Sequence, residues 1–349
     1  NFMKIAPLIR ELRKHPEIER ILVHTGQHYD KNLSDIFFHD LGITPPDIRL
    51  TAARSSPLAQ MARLMIDFER VLRKQRPDLV IVAGDVNSTL ACAITAAKSG
   101  IRLAHLEAGM RSFDKSMPEE INRISTDHLS DLLFTSCRQA GQNLLKEGIS
   151  PERIHCVGDL MADNLLHEVR KIKKTGGNAT ADYAVLTLHR QANVDCPGNF
   201  LGLCDTFNRI ARKIPILFPM HPRTRKQARR LKVRFHPAIR LLDPLGYRDF
   251  LKLLIPAKFV LTDSGGLQTE TSILGIPCIT LRDNTEHTVT LGRGTNVLTG
   301  RCEKRILCET RRVLRAQRGK KPLPEEWDGK AARRTVKILL NQRRNFSNE

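Results

Sequence analysis

The stretch LTDSGGLQTE, residues 261–270, sets a hydroxyl and two glycines between the end of an apolar run and the start of a helical one. Backbone N–H groups at a helix N-terminus, with no side chain in the way, are suited to holding a phosphate. Glu270, inside that helix, suits a different group, such as a sugar hydroxyl that donates to a carboxylate. Similar residue types follow other apolar runs: Gly84-Asp85, Glu107-Ala108-Gly109, His189-Arg190, His221-Pro222 and Arg282-Asp283. Carboxylates and histidines in such places are the groups of general acid–base chemistry.

The elements that must position them are legible as alternation. Short apolar runs at 20–26, 78–85, 101–109, 131–136 and 153–159 read as strands separated by helical stretches. After a Gly- and Lys-rich break at 173–182 the pattern restarts, with strands at 183–190, 214–222, 239–244, 258–265, 276–282 and 295–300. Strands alternating with helices predict parallel sheets with crossover connections, and two successive sets predict two doubly wound α/β domains. Such sheets bind ligands beyond the carboxyl ends of their strands. The polar residues gather at that rim in both halves, which points to a site between domains. Neither GxGxxG nor GxxxxGK[ST] occurs, so dinucleotide-binding and P-loop readings lose support.

At 349 residues the chain has the length of two domains. No apolar run is long enough to span a bilayer, and NFMKIAPLIRELRK reads as an amphipathic helix. Eight cysteines, at 92, 137, 156, 196, 204, 278, 302 and 308, form no CxxC pair. They suit reduced thiols in a cytoplasmic enzyme rather than a disulfide framework or zinc ribbon. The net charge of +20 favours anionic partners, but aromatics are only 5% and do not interleave with the basic residues, which argues against nucleic acid. The last 49 residues hold 15 Lys/Arg and 6 Asp/Glu, a net of +9, and read as a solvated basic helix face.

Taken together, GDVNSTLA, HLEAGMRS, MPEEINR, LHRQANVD, HPRT, TDSGGLQTE, LRDNTE and WDGKAA, in that order, resemble the non-hydrolysing UDP-N-acetylglucosamine 2-epimerase family along essentially the whole chain. The resemblance implies a glycosyltransferase-B-like architecture of two Rossmann-like domains with the site in the cleft between them. These would be an N-terminal domain over 1–165, a UDP-binding domain over 166–325, and a helix over 326–349 that can cross back to the first. It implies interconversion of UDP-GlcNAc and UDP-ManNAc by elimination and re-addition of UDP, supplying sugars for surface polysaccharides. It also implies a homodimer, no redox cofactor or catalytic metal, no nucleic acid and no membrane insertion.

Matched motif by motif, Asp85, Glu107, Glu119 and His189 fall on the family's catalytic positions. The carboxylates are candidates for proton transfer at sugar C2 and the hydroxyls, and His189 for the diphosphate. Ser264, Gly265 and Gly266 match the diphosphate turn, Glu270 the ribose hydroxyls, Phe250 the uracil and Lys4 a binding lysine. Arg111, Arg190, His221 and His287 complete the substrate-binding set. Taken singly, several of these residues have plainer readings. Asp85 fits a helix N-cap, Glu119 and Glu120 fit first-turn charges on a helix dipole, and His189 and Phe250 fit a core. The ordered set of motifs favours the functional reading.

The chain departs from the family at three places. The family begins with a strand and a Gly-Thr-Arg-Pro turn, which the resemblance places upstream of Asn1. Ala192 stands where the family has Glu. His287 and Thr288 stand where it has Arg-Pro, exchanging a permanent charge for a titratable one. In the turn Gln27-His28-Tyr29-Asp30, Gln27 matches regulated bacterial members but Asp30 does not, so their regulation is not implied. A hydrolysing epimerase, a UDP-sugar glycosyltransferase of the same fold and an inactive nucleotide-sugar-binding fragment are the alternatives.

Overall fold

The computed structural model describes residues 2–26, 42–51, 56–173, 181–316, 319 and 322–346. The turn at 27–30 and most of the 173–182 break lie outside them. The chain divides into two compact units, Asn1–Asn164 with Pro324–Glu349, and Leu165–Leu323.

In the first unit, α1 (Phe2–Leu12), β1 (Val23–His24), β2 (Ile48–Arg49) and α2 (Pro57–Gln75) precede β3 (Leu79–Ala83), α3 (Asn87–Lys98) and β4 (Arg102–Ala108). Next come α4 (Pro118–Leu129), β5 (Leu132–Thr135), α5 (Arg138–Lys146), β6 (Ile154–Cys156) and α6 (Leu160–Lys173), within which the division falls. Strands β3-β4-β5-β6 form a parallel sheet in that order. Both faces are covered, which is why these strands read as unbroken apolar runs. Leu106 and Phe134 pack with Leu8 and Leu12 of α1, while Val80, Val82 and Leu103 pack with Leu64 and Phe68 of α2. β1 and β2 form a separate parallel pair. A groove of about 450 Å³, lined by Phe2, Val23, Leu79 and Val82 among others, runs along β3. The two-residue β2 was not anticipated, because so short a strand carries no periodicity.

The second unit holds β7 (Ala181–Thr187), α7 (Gln191–Val194), α8 (Pro197–Ala211), β8 (Ile216–Pro219), α9 (Pro222–Arg230), β9 (Ile239–Leu242), α10 (Tyr247–Leu254) and β10 (Ala257–Thr262). It continues with α11 (Gly265–Leu274), β11 (Cys278–Thr280), α12 (Val289–Gly292), β12 (Asn296–Leu298) and α13 (Glu303–Arg315). Its strands are all parallel, in the order β12-β11-β10-β7-β8-β9. Phe200, Phe207, Phe218 and Phe259 anchor the core. The order reverses between β7 and β10, which makes the carboxyl ends of these two strands the place where a doubly wound sheet offers a crevice.

The last helix, α14 (Ala331–Phe346), belongs to the first unit. Ala331, Ala332, Val336 and Leu339 join Leu8 and Leu12 in that unit's core. The basic tail is therefore one side of an amphipathic helix. No described helix is long and apolar enough to cross a membrane.

Candidate functional site

At the β7/β10 switch point, Thr187 and Thr262 are joined by a 2.6 Å hydroxyl contact, and each strand then delivers a polar segment. The fully buried Asp263 accepts from the backbone N–H of His189 at 3.1 Å and of Arg190 at 2.9 Å, and from Asn193 Nδ2 at 3.1 Å. It also lies 3.0 Å from His189 Nδ1. Burial works to raise its pKa, but the His189 and backbone hydrogen bonds prevail and hold it below the usual carboxylate range. An ionised Asp263 only accepts, so His189 donates from Nδ1 and has Nε2 left for a ligand. His221 lies beside His189, with ring centroids 6.0 Å apart. Burial, and then His189 and Arg223, lower its pKa, and its Nδ1 accepts from the Arg223 N–H at 3.2 Å.

Ser264 is the N-cap of α11, but its side chain caps nothing in the helix. Ser264, Gly265 and Gly266 are partly exposed, so the helix start is open for an anion. A Cβ on Gly265 would lie 2.7 Å from Glu286 Oε1 and 3.0 Å from His287 Nε2, so glycine is needed there for close packing. His287 is thus beside the turn, only 7% exposed, with Nδ1 3.3 Å from Thr269 Oγ1. Glu286 contacts Arg282 at 2.6 Å and Arg190 at 3.6 Å. Burial would raise its pKa, but His287, Arg282 and Arg190 push it well below the usual range. Glu270 is buried and accepts from Tyr247 Oη at 2.9 Å. The half-buried Phe250 is on the same helix as Tyr247.

In the first unit, the carboxyl ends of successive strands bring Asp85, Glu107, Ser136 and Asp159 to one rim. Asp85 pairs with Arg123 of α4, and Glu107 pairs with Lys4 of α1. Burial opposes the Lys4 ammonium, but Glu107 and Asp85 prevail and raise its pKa. Glu107 has φ +70°, an uncommon conformation for a residue with a side chain. The β4–β5 register shifts between Leu106 and Ala108, and an irregularity of this kind re-aims a side chain at a strand end. Such strain is retained where the surroundings over-determine it, commonly at functional sites.

Glu119 and Glu120, equivalent in sequence, differ in structure. Glu120 is 1% exposed, accepts from the N–H groups of Ser112 and Phe113 at 3.0 and 2.8 Å, and pairs with Arg123 at 2.6 Å. Glu119 is half-buried in the first turn of α4, without an ion-pair partner among the described residues.

A buried polar chain supports this rim. His105 Nδ1 meets Asp127 Oδ1 at 2.7 Å and Nε2 meets the Gly84 carbonyl at 2.9 Å. Asp127 also accepts from the Gly109 N–H at 3.1 Å. Burial opposes the Asp127 charge, but His105 and Arg111 override it and lower its pKa. The chain thereby ties the residue before Asp85 to the turn after Glu107. Arg111, expected on the substrate, is 2% exposed and committed to Asp127 and, through two 2.7 Å bonds, to Glu147. Its guanidinium thereby ties the turn after Glu107 to Asp127 and Glu147, with most of its donors directed at those two carboxylates and the Met110 carbonyl.

His105, Asp127, Asp159 and Asp263 were not singled out as site residues from sequence. Asp263 opens the Ser-Gly-Gly motif, and Gly158-Asp159 repeats after β6 the Gly-Asp pair that follows β3. His105 and Asp127 carried no signal, because their pairing exists only across 22 residues of chain.

The family model described as UDP-N-acetylglucosamine 2-epimerase matches residues 10–340. A UDP-N-acetylglucosamine 2-epimerase of Methanococcus maripaludis is 39% identical over 361 residues, covering 98% of this chain and 96% of that protein. The UDP-2,3-diacetamido-2,3-dideoxy-D-glucuronate 2-epimerase of Pseudomonas aeruginosa is 40% identical over 317 residues, covering 90% and 89%. The crystal structure of Methanocaldococcus jannaschii UDP-GlcNAc 2-epimerase, in complex with UDP-GlcNAc and UDP, superposes with a TM-score of 0.90 at 39% identity. That superposition covers 97% of this chain and 96% of the other.

Proposed function

This chain belongs to the UDP-N-acetylglucosamine 2-epimerase family, and we propose that it interconverts UDP-GlcNAc and UDP-ManNAc without net hydrolysis. The reaction must invert C2 of the sugar, whose proton is not acidic. Elimination provides the route. A base takes the C2 proton while the C1–oxygen bond breaks, leaving 2-acetamidoglucal and UDP. In the return step the UDP oxygen re-forms the bond at C1, and a proton reaches C2 from the other face.

In this reading Ser264, Gly265 and Gly266 hold the diphosphate at the α11 N-terminus, and His189 Nε2 stabilises charge developing on the departing phosphate. Glu270 takes the ribose hydroxyls, and Phe250 flanks the uracil. Asp85, Glu107 and Glu119 handle protons on the sugar, with Lys4 holding Glu107 in place. The observation that carries the reading is the pairing at the β7/β10 switch point of an Asp263-oriented histidine with an open Ser-Gly-Gly helix start. A glycosyltransferase needs the second but not, together with it, the carboxylate rim.

The test is proton NMR of UDP-GlcNAc incubated with the protein in D2O. UDP-ManNAc carrying deuterium at C2 is expected. Free ManNAc with UDP identifies a hydrolysing enzyme instead, and an unchanged spectrum removes the reading. The 40%-identical relative makes the diacetamido-glucuronate nucleotide the competing substrate to run in parallel.

A further inference from the structure

The rim of the first unit holds more carboxylates than cations. Arg123 is shared by Asp85 and Glu120, and Lys4 is paired with Glu107. Asp159, 5% exposed, faces the same lysine and has no ion pair of its own among the described residues. Lys4, Glu107, Ser136 and Asp159 line one cavity of about 10 Å³, room for no more than a single water. The Asp159 carboxyl is fixed there: Oδ1 accepts from the Met161 N–H at 2.7 Å. The preceding turn is pinned by the Val157 and Gly158 N–H groups on the Thr135 carbonyl, at 3.0 and 3.2 Å, and by Arg334 Nε on the Val157 carbonyl at 2.6 Å. Lys4 thus faces the buried Asp159 carboxyl as well as Glu107 and Asp85, with little room for water beside them, an arrangement that favours keeping one proton between Asp159 and Glu107.

We propose that Asp159 is a positioning residue of the reaction: its carboxyl carries the proton that leaves Glu107 as the ionised partner of Lys4, and release of that proton divides Lys4 between the two carboxylates. The proposal rests on Glu107 acting at the sugar, as assigned above. Among the described residues, the titratable groups facing Asp159 are Lys4 from α1, Glu107 from β4 and Cys137 from the turn after β5, and the Met161 and Ala162 N–H groups of α6 donate to it. Cys137 stays a thiol, because burial raises its pKa, and Arg334 of α14 is committed to the Val157 carbonyl and to Asp328. Burial and then Glu107 push the Asp159 carboxyl up to about 7, which places the switch near neutral pH.

Asp159→Asn preserves the acceptor for the Met161 N–H and mimics the protonated carboxyl permanently. The wild-type turnover profile with UDP-GlcNAc should bend near neutral pH. The variant should match wild type at low pH and lack the bend. A bend that persists in the variant overturns the proposal. A second measurement needs no turnover: in wild-type protein labelled with 13C at aspartate carboxyls, one resonance should titrate near neutrality and move to lower pH in Glu107→Gln. A resonance unmoved by Glu107→Gln, or no aspartate titrating in that range, refutes the coupling even if the nucleotide-sugar reading stands. A coupled titration in a protein that does not turn over UDP-GlcNAc upholds the coupling and removes the activity assignment alone.

Discussion

Glu107 occupies a strained backbone position and is held by one lysine, so its charge and its size can be separated by experiment. Glu107→Gln keeps the size and removes the charge. Turnover should fall by a factor on the order of 100 or more, as for lost acid–base catalysis, while calorimetric UDP affinity stays unchanged. Loss of UDP affinity with normal turnover would move Glu107 out of the chemistry. Asp159 makes a separate prediction, about stability. Its folded pKa of about 7 lies above the ordinary 3.8, so between those values the folded protein keeps a proton that the unfolded chain has released. Stability therefore falls as pH rises through that window and levels off above it. Asp159→Asn has no such loss. It should melt close to wild type at pH 4 and above wild type at pH 8, by a margin of roughly 1–4 kcal/mol. Equal melting temperatures at both pH values would show that Asp159 ionises freely in the folded state.

The turns between elements carry the next level of constraint. Gly158 has φ +95°, and a Cβ there would overlap the Glu326 carbonyl. Gly158→Ala meets backbone strain and a backbone clash together. It should cost roughly 2–5 kcal/mol, seen as a lowered denaturation midpoint; a shift of less than a few tenths of a kcal/mol would mean the turn can relax. At the start of α11, the nearest atoms a Cβ at Gly265 would meet are the ends of two side chains, Glu286 and His287, rather than backbone. The fold should survive, and UDP should bind about tenfold more weakly, equivalent to about 1.4 kcal/mol. Unchanged UDP affinity would place the nucleotide elsewhere.

The chain as a whole returns to its first unit at the end. Residues 324–349 supply Trp327, whose Nε1 donates to the Ser136 carbonyl at 2.8 Å. The Ala331 and Ala332 N–H groups donate to Asp163 at 3.0 and 2.8 Å. Val336 and Leu339 are 1% and 9% exposed. Each large apolar side chain so buried contributes about 1.5–3 kcal/mol, against a typical net stability of about 5–15 kcal/mol for a domain. Deleting residues 324–349 should therefore unfold the first unit, read as lost near-UV dichroism and collapse of soluble yield. A truncated protein with the full-length melting temperature would show that the tail is dispensable.

Alternation of apolar runs and helical stretches sufficed to predict parallel α/β sheets, because strands covered on both faces must be apolar throughout and crossover helices must follow them. The motifs, in order, sufficed for the family. Pairing across the fold was decided only in three dimensions. Glu119 and Glu120 are adjacent and alike in sequence, yet one is sealed against Arg123 and two backbone N–H groups while the other has no ion pair among the described residues. Arg111 carries no mark in the sequence of its ion pairs with Asp127 and Glu147, which only the fold brings to it. The strand order, and with it the switch point that sets His189 beside the Ser-Gly-Gly turn, depends on β10 pairing with β7 rather than with β9. Local periodicity determines which residues form a strand and which face they cover. Which strand lies beside it, and so which charges share a proton, depends on long-range burial and Coulomb terms that no window of sequence contains.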